Sequence, residues 1–216
     1  MNRDALQTYL VTDAALSGDR GVLEVVRAAV AGGATAVQLR DKSASARSLY
    51  ELAVAAAAVV DGRALLLVDD RVDVALAART AGARVDGVHV GQSDLPVEQV
   101  RAILGAAAVV GLTANTPEHL DAVRRMPAGT VDYLGVGVIR PTSTKPDHPA
   151  PLGVDGFAAI AAAAGLPCVA IGGVKLADTA ALKAAGAAGL AVVSAICAAP
   201  DPEHAARELS EAWRSA

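Results

Sequence analysis

The feature that most constrains the fold is a repeated series in which a short apolar segment is followed by a helix-type pattern. The segment Ala64 to Val68 is continuously apolar, which is typical of a strand covered on both faces. The segment Ser45 to Val60 shows helical spacing and ends at Asp61-Gly62, a helix stop signal. Similar turns, such as Ala-Gly-Gly-Ala-Thr-Ala-Val at Ala31 to Val37, recur between helix ends and strands.

Eight such units run along the chain. The predicted strands are Tyr9–Thr12, Thr35–Arg40, Ala64–Val68, Asp86–Val90, Ala107–Leu112, Val131–Val136, Pro167–Ile171 and Gly189–Val193. The predicted helices are Leu23–Val30, Ser45–Val60, Val72–Thr80, one that starts at Pro96, Pro117–Arg125, Val154–Ala163, Leu176–Ala185 and Glu203–Trp213. A doubly wound open sheet is the competing topology, but it would need a GxGxxG fingerprint after the first strand, and the sequence has none there. We therefore predict an α/β fold, a single-domain (β/α)₈ TIM barrel over residues 1–216.

The amino-acid composition limits which kinds of partner the protein can bind. The apolar fraction is 53% and the net charge is −4, so the chain has material for a core and no overall attraction for nucleic acid or acidic membranes. Cys168 and Cys197 lack metal-site spacing and predict buried free thiols. The sequence shows no signal peptide at its start and no apolar run of about 20 residues, so we predict a cytoplasmic protein with no membrane partner. A homo-oligomer is compatible with the sequence.

Active sites of such barrels lie at the carboxyl ends of the strands, and charged residues follow three neighbouring strands there. Gln38, Arg40 and Lys42 alternate at the end of the second strand, which favours one shared direction over a merely solvated strand end. The carboxylates of Asp69 and Asp70 follow the third strand, and that of Asp94 follows the fourth. Such aspartates are often helix caps, but two on neighbouring strands could instead hold Mg²⁺ together with substrate phosphate oxygens.

The remaining strands end in hydroxyl and glycine residues. These candidates are Thr113 after the fifth strand, Thr142, Thr144 and Lys145 after the sixth, Gly172-Gly173 after the seventh, and Val193-Ser194 after the eighth. Loops after the last two strands often bind phosphate in barrels. The sequence thus predicts two anion sites, one metal-assisted and one lined by backbone. His89 is interpreted as a core histidine with satisfied hydrogen bonds, and His119, His148 and His204 as surface residues.

These segments carry a family resemblance over nearly the whole chain. The most specific are Gln38–Lys42, Asp70–Leu76, Gly87–Asp94, Pro141–Lys145 and Ile171–Gly173. The chain resembles thiamine phosphate synthase. That resemblance implies condensation of 4-amino-2-methyl-5-(hydroxymethyl)pyrimidine diphosphate with 4-methyl-5-(2-hydroxyethyl)thiazole phosphate. The resemblance also implies that pyrophosphate is released by a dissociative, Mg²⁺-assisted substitution.

The resemblance also implies roles for single residues. Gln38, Arg40 and Lys42, with Asp69 beside them, would contact the pyrimidine diphosphate, while Asp70 and Asp94 would bind Mg²⁺. Lys145 would contact the leaving pyrophosphate, and Thr113 would lie near the reacting pyrimidine. The thiazole phosphate would face Thr142, Thr144, Gly173, Val193 and Ser194. Arg40, Lys42, Thr113 and Lys145 are thereby the expected catalytic residues.

Four positions depart from the family pattern and keep two alternatives open. Asp69 stands where the family usually has Asn, Val138 and Arg140 replace a Pro and an aromatic residue, and Asn115 replaces a His. One alternative is a related thiazole tautomerase, although that subgroup typically lacks the residues found here as Gln38, Lys42 and Asp94. The other is a divergent paralogue that binds a phosphorylated metabolite without catalysis.

Overall fold

The structure is a computed structural model and describes residues 2–142 and 150–216. All strands in these ranges are parallel and close into one barrel in the order β1 to β8. Their bounds are Thr8–Val11 (β1), Ala36–Leu39 (β2), Leu65–Asp69 (β3), Gly87–Val90 (β4), Val109–Thr113 (β5), Tyr133–Gly137 (β6), Cys168–Ile171 (β7) and Gly189–Val192 (β8). The predicted (β/α)₈ barrel is confirmed.

Helices cover the outside of the barrel. The α-helices are Ala14–Ser17 (α1), Gly21–Ala31 (α2), Ala46–Val60 (α3), Val72–Thr80 (α4), Val97–Leu104 (α5), Pro117–Arg125 (α6), Gly153–Ala164 (α7), Thr179–Ala184 (α8), Ser194–Cys197 (α9) and Pro202–Ser215 (α10). Short 3₁₀ turns cover Arg3–Leu6, Gly18–Arg20 and Leu176–Asp178. The last turn corrects the seventh predicted helix, whose first residues form a 3₁₀ turn in which the Asp178 N–H donates to the Lys175 carbonyl oxygen. The Asp178 carboxylate also accepts from the Lys175 N–H.

Local side-chain caps explain why several helices begin where the sequence predicts. The Ser45 hydroxyl accepts from the Ser48 N–H at the start of α3. At α6 the Thr116 hydroxyl accepts from the His119 N–H, and Pro117 occupies a first-turn position where its missing N–H costs nothing. Such caps satisfy N–H groups that have no partner within the helix.

The core has two layers. A large one lies between the sheet and the helices, and a smaller one lies inside the barrel, where Leu6, Tyr9, Leu67 and Tyr133 pack together. Both cysteines are buried free thiols, as predicted. None of the helices in the described part of the chain is long and apolar enough to cross a membrane.

Strand register brings polar residues of neighbouring strands next to one another. Asp69 pairs with His89, His89 with Gly111, and Gly111 with Tyr133 across β3 to β6. Because register partners on neighbouring strands are adjacent, these four strands place an acid, an imidazole and a phenol in one continuous row. Gly111 leaves the space, since a Cβ there would collide with the Tyr133 ring and with His89 Nδ1.

Candidate active site

A cavity of about 730 Å³ opens at the carboxyl ends of the strands. It contains every predicted site residue that the structure describes. These are Gln38, Arg40, Lys42, Asp69, Asp70, Asp94, Thr113, Thr142, Gly173, Val193 and Ser194. Thr144 and Lys145 lie outside the described residues. Segments separated by more than a hundred residues in sequence thus share one cavity.

One wall of the cavity is a charged cluster on the ends of β2 and β3. The Lys42 ammonium contacts the Asp70 carboxylate and lies 3.3 Å from Asp69 Oδ2, and Arg40 Nε lies 3.6 Å from the same oxygen. Burial raises the pKa of Asp69, and the nearby Lys42 and Arg40 oppose that rise. The two cations are therefore held beside the cavity by carboxylates on the neighbouring strand.

The backbone around this cluster is fixed by specific hydrogen bonds. Thr12 Oγ1 accepts from the Arg40 N–H at 2.9 Å, which ties the end of β2 to the end of β1. Asp70 has a left-handed backbone (φ 57°), a conformation that Asp tolerates better than most residues. Asp94 Oδ2 accepts from the Gly91 N–H at 2.7 Å, which closes a tight turn after β4.

The carboxylates fit a magnesium ion that is bound partly by substrate. Within residues 2–142 and 150–216, no three His, Cys, Asp or Glu side chains are grouped to hold a metal by themselves. Asp70 and Asp94 nevertheless both face the cavity with hard oxygen donors. Mg²⁺ commonly takes one or two carboxylates and completes its shell with water and phosphate oxygens.

The opposite wall is built from the loops after β6 and β7, which pack closely on one another. Gly173 has φ 68°, and a Cβ there would lie 2.8 Å from the Arg140 carbonyl oxygen and 3.0 Å from that of Pro141. Gly172 packs equally closely on Val138. These glycines are therefore required for packing between the two loops as well as for access to a ligand.

An ion pair joins the same two loops. The Arg140 guanidinium donates to both oxygens of the Asp178 carboxylate, with Nε 3.2 Å from Oδ2. Asp178 Oδ2 also accepts from the Lys175 N–H at 3.0 Å. Hydrogen bonding to Arg140 lowers the pKa of Asp178. Arg140, which departs from the family pattern, thus acts as a tie between the β6 and β7 loops.

Residues missed by the sequence analysis lie beneath the cavity, where two buried phenols connect residues that line it. Gln38 Nε2 donates to the Tyr9 hydroxyl at 2.8 Å, and the Tyr9 and Tyr133 hydroxyls are 2.9 Å apart. His89 follows, with Nδ1 3.0 Å from the Tyr133 hydroxyl and Nε2 3.0 Å from Thr113 Oγ1. The interpretation of His89 as a core histidine needs correction, because the side chain is half-buried and lines the cavity. The phenols carried no sequence signal beyond their position in apolar strands.

His119 also needs correction, since it is half-buried and lines the cavity. Its Nδ1 accepts from the Asn115 N–H at 3.2 Å, because the first turn of α6 folds back over the β5 loop. Asn115 Oδ1 in turn accepts from the Gly137 N–H at 3.0 Å. His204 is exposed, as predicted, and His148 lies outside the described residues.

Comparisons with known proteins agree on one family. The family model described as thiamine monophosphate synthase matches residues 8–196. A thiamine-phosphate synthase of Psychrobacter sp. (strain PRwf-1) is 45% identical over 206 residues, which cover 95% of this chain and 94% of that protein. One from Azorhizobium caulinodans is 48% identical over 205 residues, covering 94% and 93%.

The similar solved structures include one with a name from the same family and one that shares the fold alone. The thiamine phosphate pyrophosphorylase from Pyrococcus furiosus matches with a TM-score of 0.85 and 33% identity, covering 99% of this chain and 98% of that chain. A 3-hexulose-6-phosphate synthase matches with a TM-score of 0.66 and 21% identity, a likeness of fold alone.

Proposed function

The chain belongs to the thiamine monophosphate synthase family, and from that premise we propose how its cavity carries out the synthase reaction. The enzyme is a transferase that joins a pyrimidine diphosphate to a thiazole phosphate with release of pyrophosphate. The observation that carries the proposal is that Gln38, Arg40, Lys42, Asp70 and Asp94 all face one cavity. This set combines cations for a diphosphate with carboxylates for a divalent metal.

The pyrimidine diphosphate occupies the charged wall. Arg40 and Lys42 contact its phosphate oxygens, and binding requires Lys42 to exchange its present contacts with Asp69 and Asp70 for contacts with the substrate. Two cations that move from carboxylates to phosphates keep charged partners throughout, which limits the cost of desolvation. Lys145, outside the described residues, is proposed to contact the same diphosphate.

Mg²⁺ is the proposed cofactor, held by Asp70 and Asp94. When bound, it neutralises charge on the departing diphosphate oxygens. The chain supplies the rest of the arrangement. The Gly91 N–H holds one Asp94 oxygen, so that the carboxylate keeps its orientation, and the left-handed backbone of Asp70 turns that side chain toward the cavity.

The reaction needs no protein nucleophile. The bond between the exocyclic methylene carbon and the diphosphate oxygen breaks, and the oxygen leaves with the electron pair. The electron-rich aminopyrimidine stabilises the resulting cation, and the thiazole nitrogen then supplies the pair for the new C–N bond. Arg40, Lys42 and Lys145 offset the negative charge that develops on pyrophosphate, the largest contribution expected from the protein.

The thiazole phosphate occupies the opposite wall. Thr142, Thr144, Gly173, Val193 and Ser194 are its proposed contacts, and Thr113 is placed beside the reacting pyrimidine. The cavity lining supports this division, because the charged cluster and the glycine loops stand on different strands of one barrel. A cytoplasmic location, a homo-oligomeric assembly and a single domain over residues 1–216 stay predictions from the sequence.

The test is a direct assay. Purified protein with both substrates and Mg²⁺ is expected to release thiamine phosphate and pyrophosphate in equal amounts, and excess EDTA should abolish both. Absence of product at high enzyme concentration, with thiazole phosphate binding intact, would contradict synthase activity. That outcome would favour a phosphometabolite-binding paralogue. Conversion of a thiazole isomer by the protein alone would indicate the tautomerase.

A further inference from the structure

Five polar side chains form a continuous hydrogen-bonded chain across the barrel interior. We call it the buried polar chain, and it runs from Gln38 through Tyr9, Tyr133 and His89 to Thr113. Its four contacts measure 2.8, 2.9, 3.0 and 3.0 Å. Both phenols are fully buried, while Gln38 and Thr113 stand at the cavity. The chain therefore connects two cavity residues through the protein interior.

The number of protons available determines which side chain donates and which accepts at each hydrogen bond of the buried polar chain. Each phenol has one proton, and burial raises the pKa of Tyr9 and Tyr133, so both stay protonated. Tyr9 accepts from the Gln38 amide, so its own proton goes to Tyr133. Tyr133 then donates to His89 Nδ1, which must be unprotonated. A neutral imidazole with a bare Nδ1 carries its proton on Nε2, which faces Thr113.

A doubly protonated His89 does not fit this arrangement. It would donate to both neighbours, and Tyr133 would have to donate to Tyr9. Tyr9 would then accept two hydrogen bonds and keep its own proton without an acceptor in the buried polar chain, a costly arrangement away from water. Across the described residues, no buried side-chain nitrogen or oxygen lacks a partner.

From this geometry we infer that Tyr9, Tyr133 and His89 are positioning residues that make Thr113 a hydrogen-bond donor to the substrate. Because Thr113 Oγ1 accepts from His89 Nε2, the Thr113 proton is left for an acceptor in the cavity. The inference rests on the proposed function for the identity of that acceptor. An aminopyrimidine offers ring nitrogens as acceptors and an amino group as a donor, so Thr113 selects a ring nitrogen.

The first experiment determines the tautomer in the free protein. ¹⁵N–¹H NMR of the labelled enzyme, with His89 assigned by its loss in His89→Gln, is expected to show a protonated Nε2 and an unprotonated Nδ1. A proton on Nδ1 would mean that the chain runs in the opposite sense, with Thr113 donating to His89, and would overturn the inference. This readout needs no substrate, so it stands even if the proposed function fails.

The second experiment measures whether the effect of Tyr133 on kcat/KM depends on Thr113. Tyr133→Phe removes one hydroxyl from the middle of the chain and is expected to lower kcat/KM for the pyrimidine diphosphate about three- to tenfold. In a Thr113→Val background the same change should have no further effect. Equal losses in both backgrounds would show a merely structural role and overturn the inference.

Two further variants accompany this test, one as a control and one as a substitute for Tyr133→Phe. Tyr50→Phe removes a tyrosine hydroxyl on α3, outside the cavity lining, and should leave turnover unchanged. Tyr9→Phe interrupts the buried polar chain one residue earlier. It replaces Tyr133→Phe in the same experiment if that variant folds poorly. Normal turnover with a proton on Nδ1 would overturn the inference and leave the synthase activity intact.

Discussion

At the scale of single residues, Asp94 separates the two proposed subsites. Asp94→Asn keeps an oxygen that can accept from the Gly91 N–H but removes the charge that would bind Mg²⁺. We expect kcat/KM to fall by about two orders of magnitude, while the Kd for thiazole phosphate changes less than about twofold. Steady-state kinetics and calorimetry measure the two quantities. The control is Asp19→Asn, which changes an exposed aspartate in a 3₁₀ turn. If Asp94→Asn weakened thiazole phosphate binding as much as it lowered kcat/KM, the assignment of Asp94 to the metal site would be wrong.

Asp69 is the residue whose departure from the family pattern has the clearest electrostatic consequence. Its carboxylate lies 3.3 Å from Lys42 and 3.6 Å from Arg40, the two cations proposed to bind diphosphate. Asp69→Asn removes that competing charge, so we expect the KM for the pyrimidine diphosphate to fall about two- to fivefold. This factor corresponds to the free energy of one partly screened ion pair. A higher KM in the variant would instead show that Asp69 holds Lys42 in its productive position.

At the scale of elements, the tie between the β6 and β7 loops depends on Asp178. Asp178→Ala removes the acceptor of both Arg140 and the Lys175 N–H. An unsatisfied backbone donor costs about 1–3 kcal/mol, or about 2–12 °C in Tm for a chain of this size. The KM for thiazole phosphate should also rise, because the loop after β7, which contains Gly172 and Gly173, loses its ion pair with the loop after β6.

The pH dependence of this effect follows from the lowered pKa of Asp178. A carboxyl whose pKa is lower in the folded state stabilises the fold above its ordinary pKa of about 4, and that stability is lost as pH falls through the folded-state value. The Tm difference between wild type and Asp178→Ala should therefore be largest near neutral pH and shrink in acid. Thermal melts from neutral pH to about pH 3 measure it, and a constant difference would argue against the ion pair.

The strands and helices themselves were largely predictable. Their apolar periodicity and their caps are local, and α4 and α6 have the predicted bounds. The link between the β6 and β7 loops was not predictable. Arg140 and Asp178 are 38 positions apart, and nothing in either segment indicates that Gly173 needs a bare Cα to pack on the Arg140 carbonyl.

At the scale of the whole molecule, stability depends on the plug at the amino end of the barrel. Leu6 is fully buried in one cluster with Tyr9 and Tyr133, and its carbonyl lies against Gly189, the first residue of β8, so it fills the end of the barrel away from the cavity. Leu6→Ala is expected to cost about 2–5 kcal/mol, or about 4–20 °C in Tm. Leu76→Ala on α4, where the leucine is 42% exposed, should change stability by less than about 0.5 kcal/mol. Equal shifts for both variants would contradict the plug.

The sequence by itself determined the barrel and which polar residues stand at the strand ends, because these follow from local periodicity and from where polar residues interrupt apolar runs. Only the tertiary structure decided which side chains meet inside. Tyr9 and Tyr133 are 124 positions apart, and their hydroxyls meet because closure of the barrel turns both side chains into its interior at contact distance. Register and closure are properties of the whole sheet, so no segment could have indicated the buried polar chain that ends at Thr113.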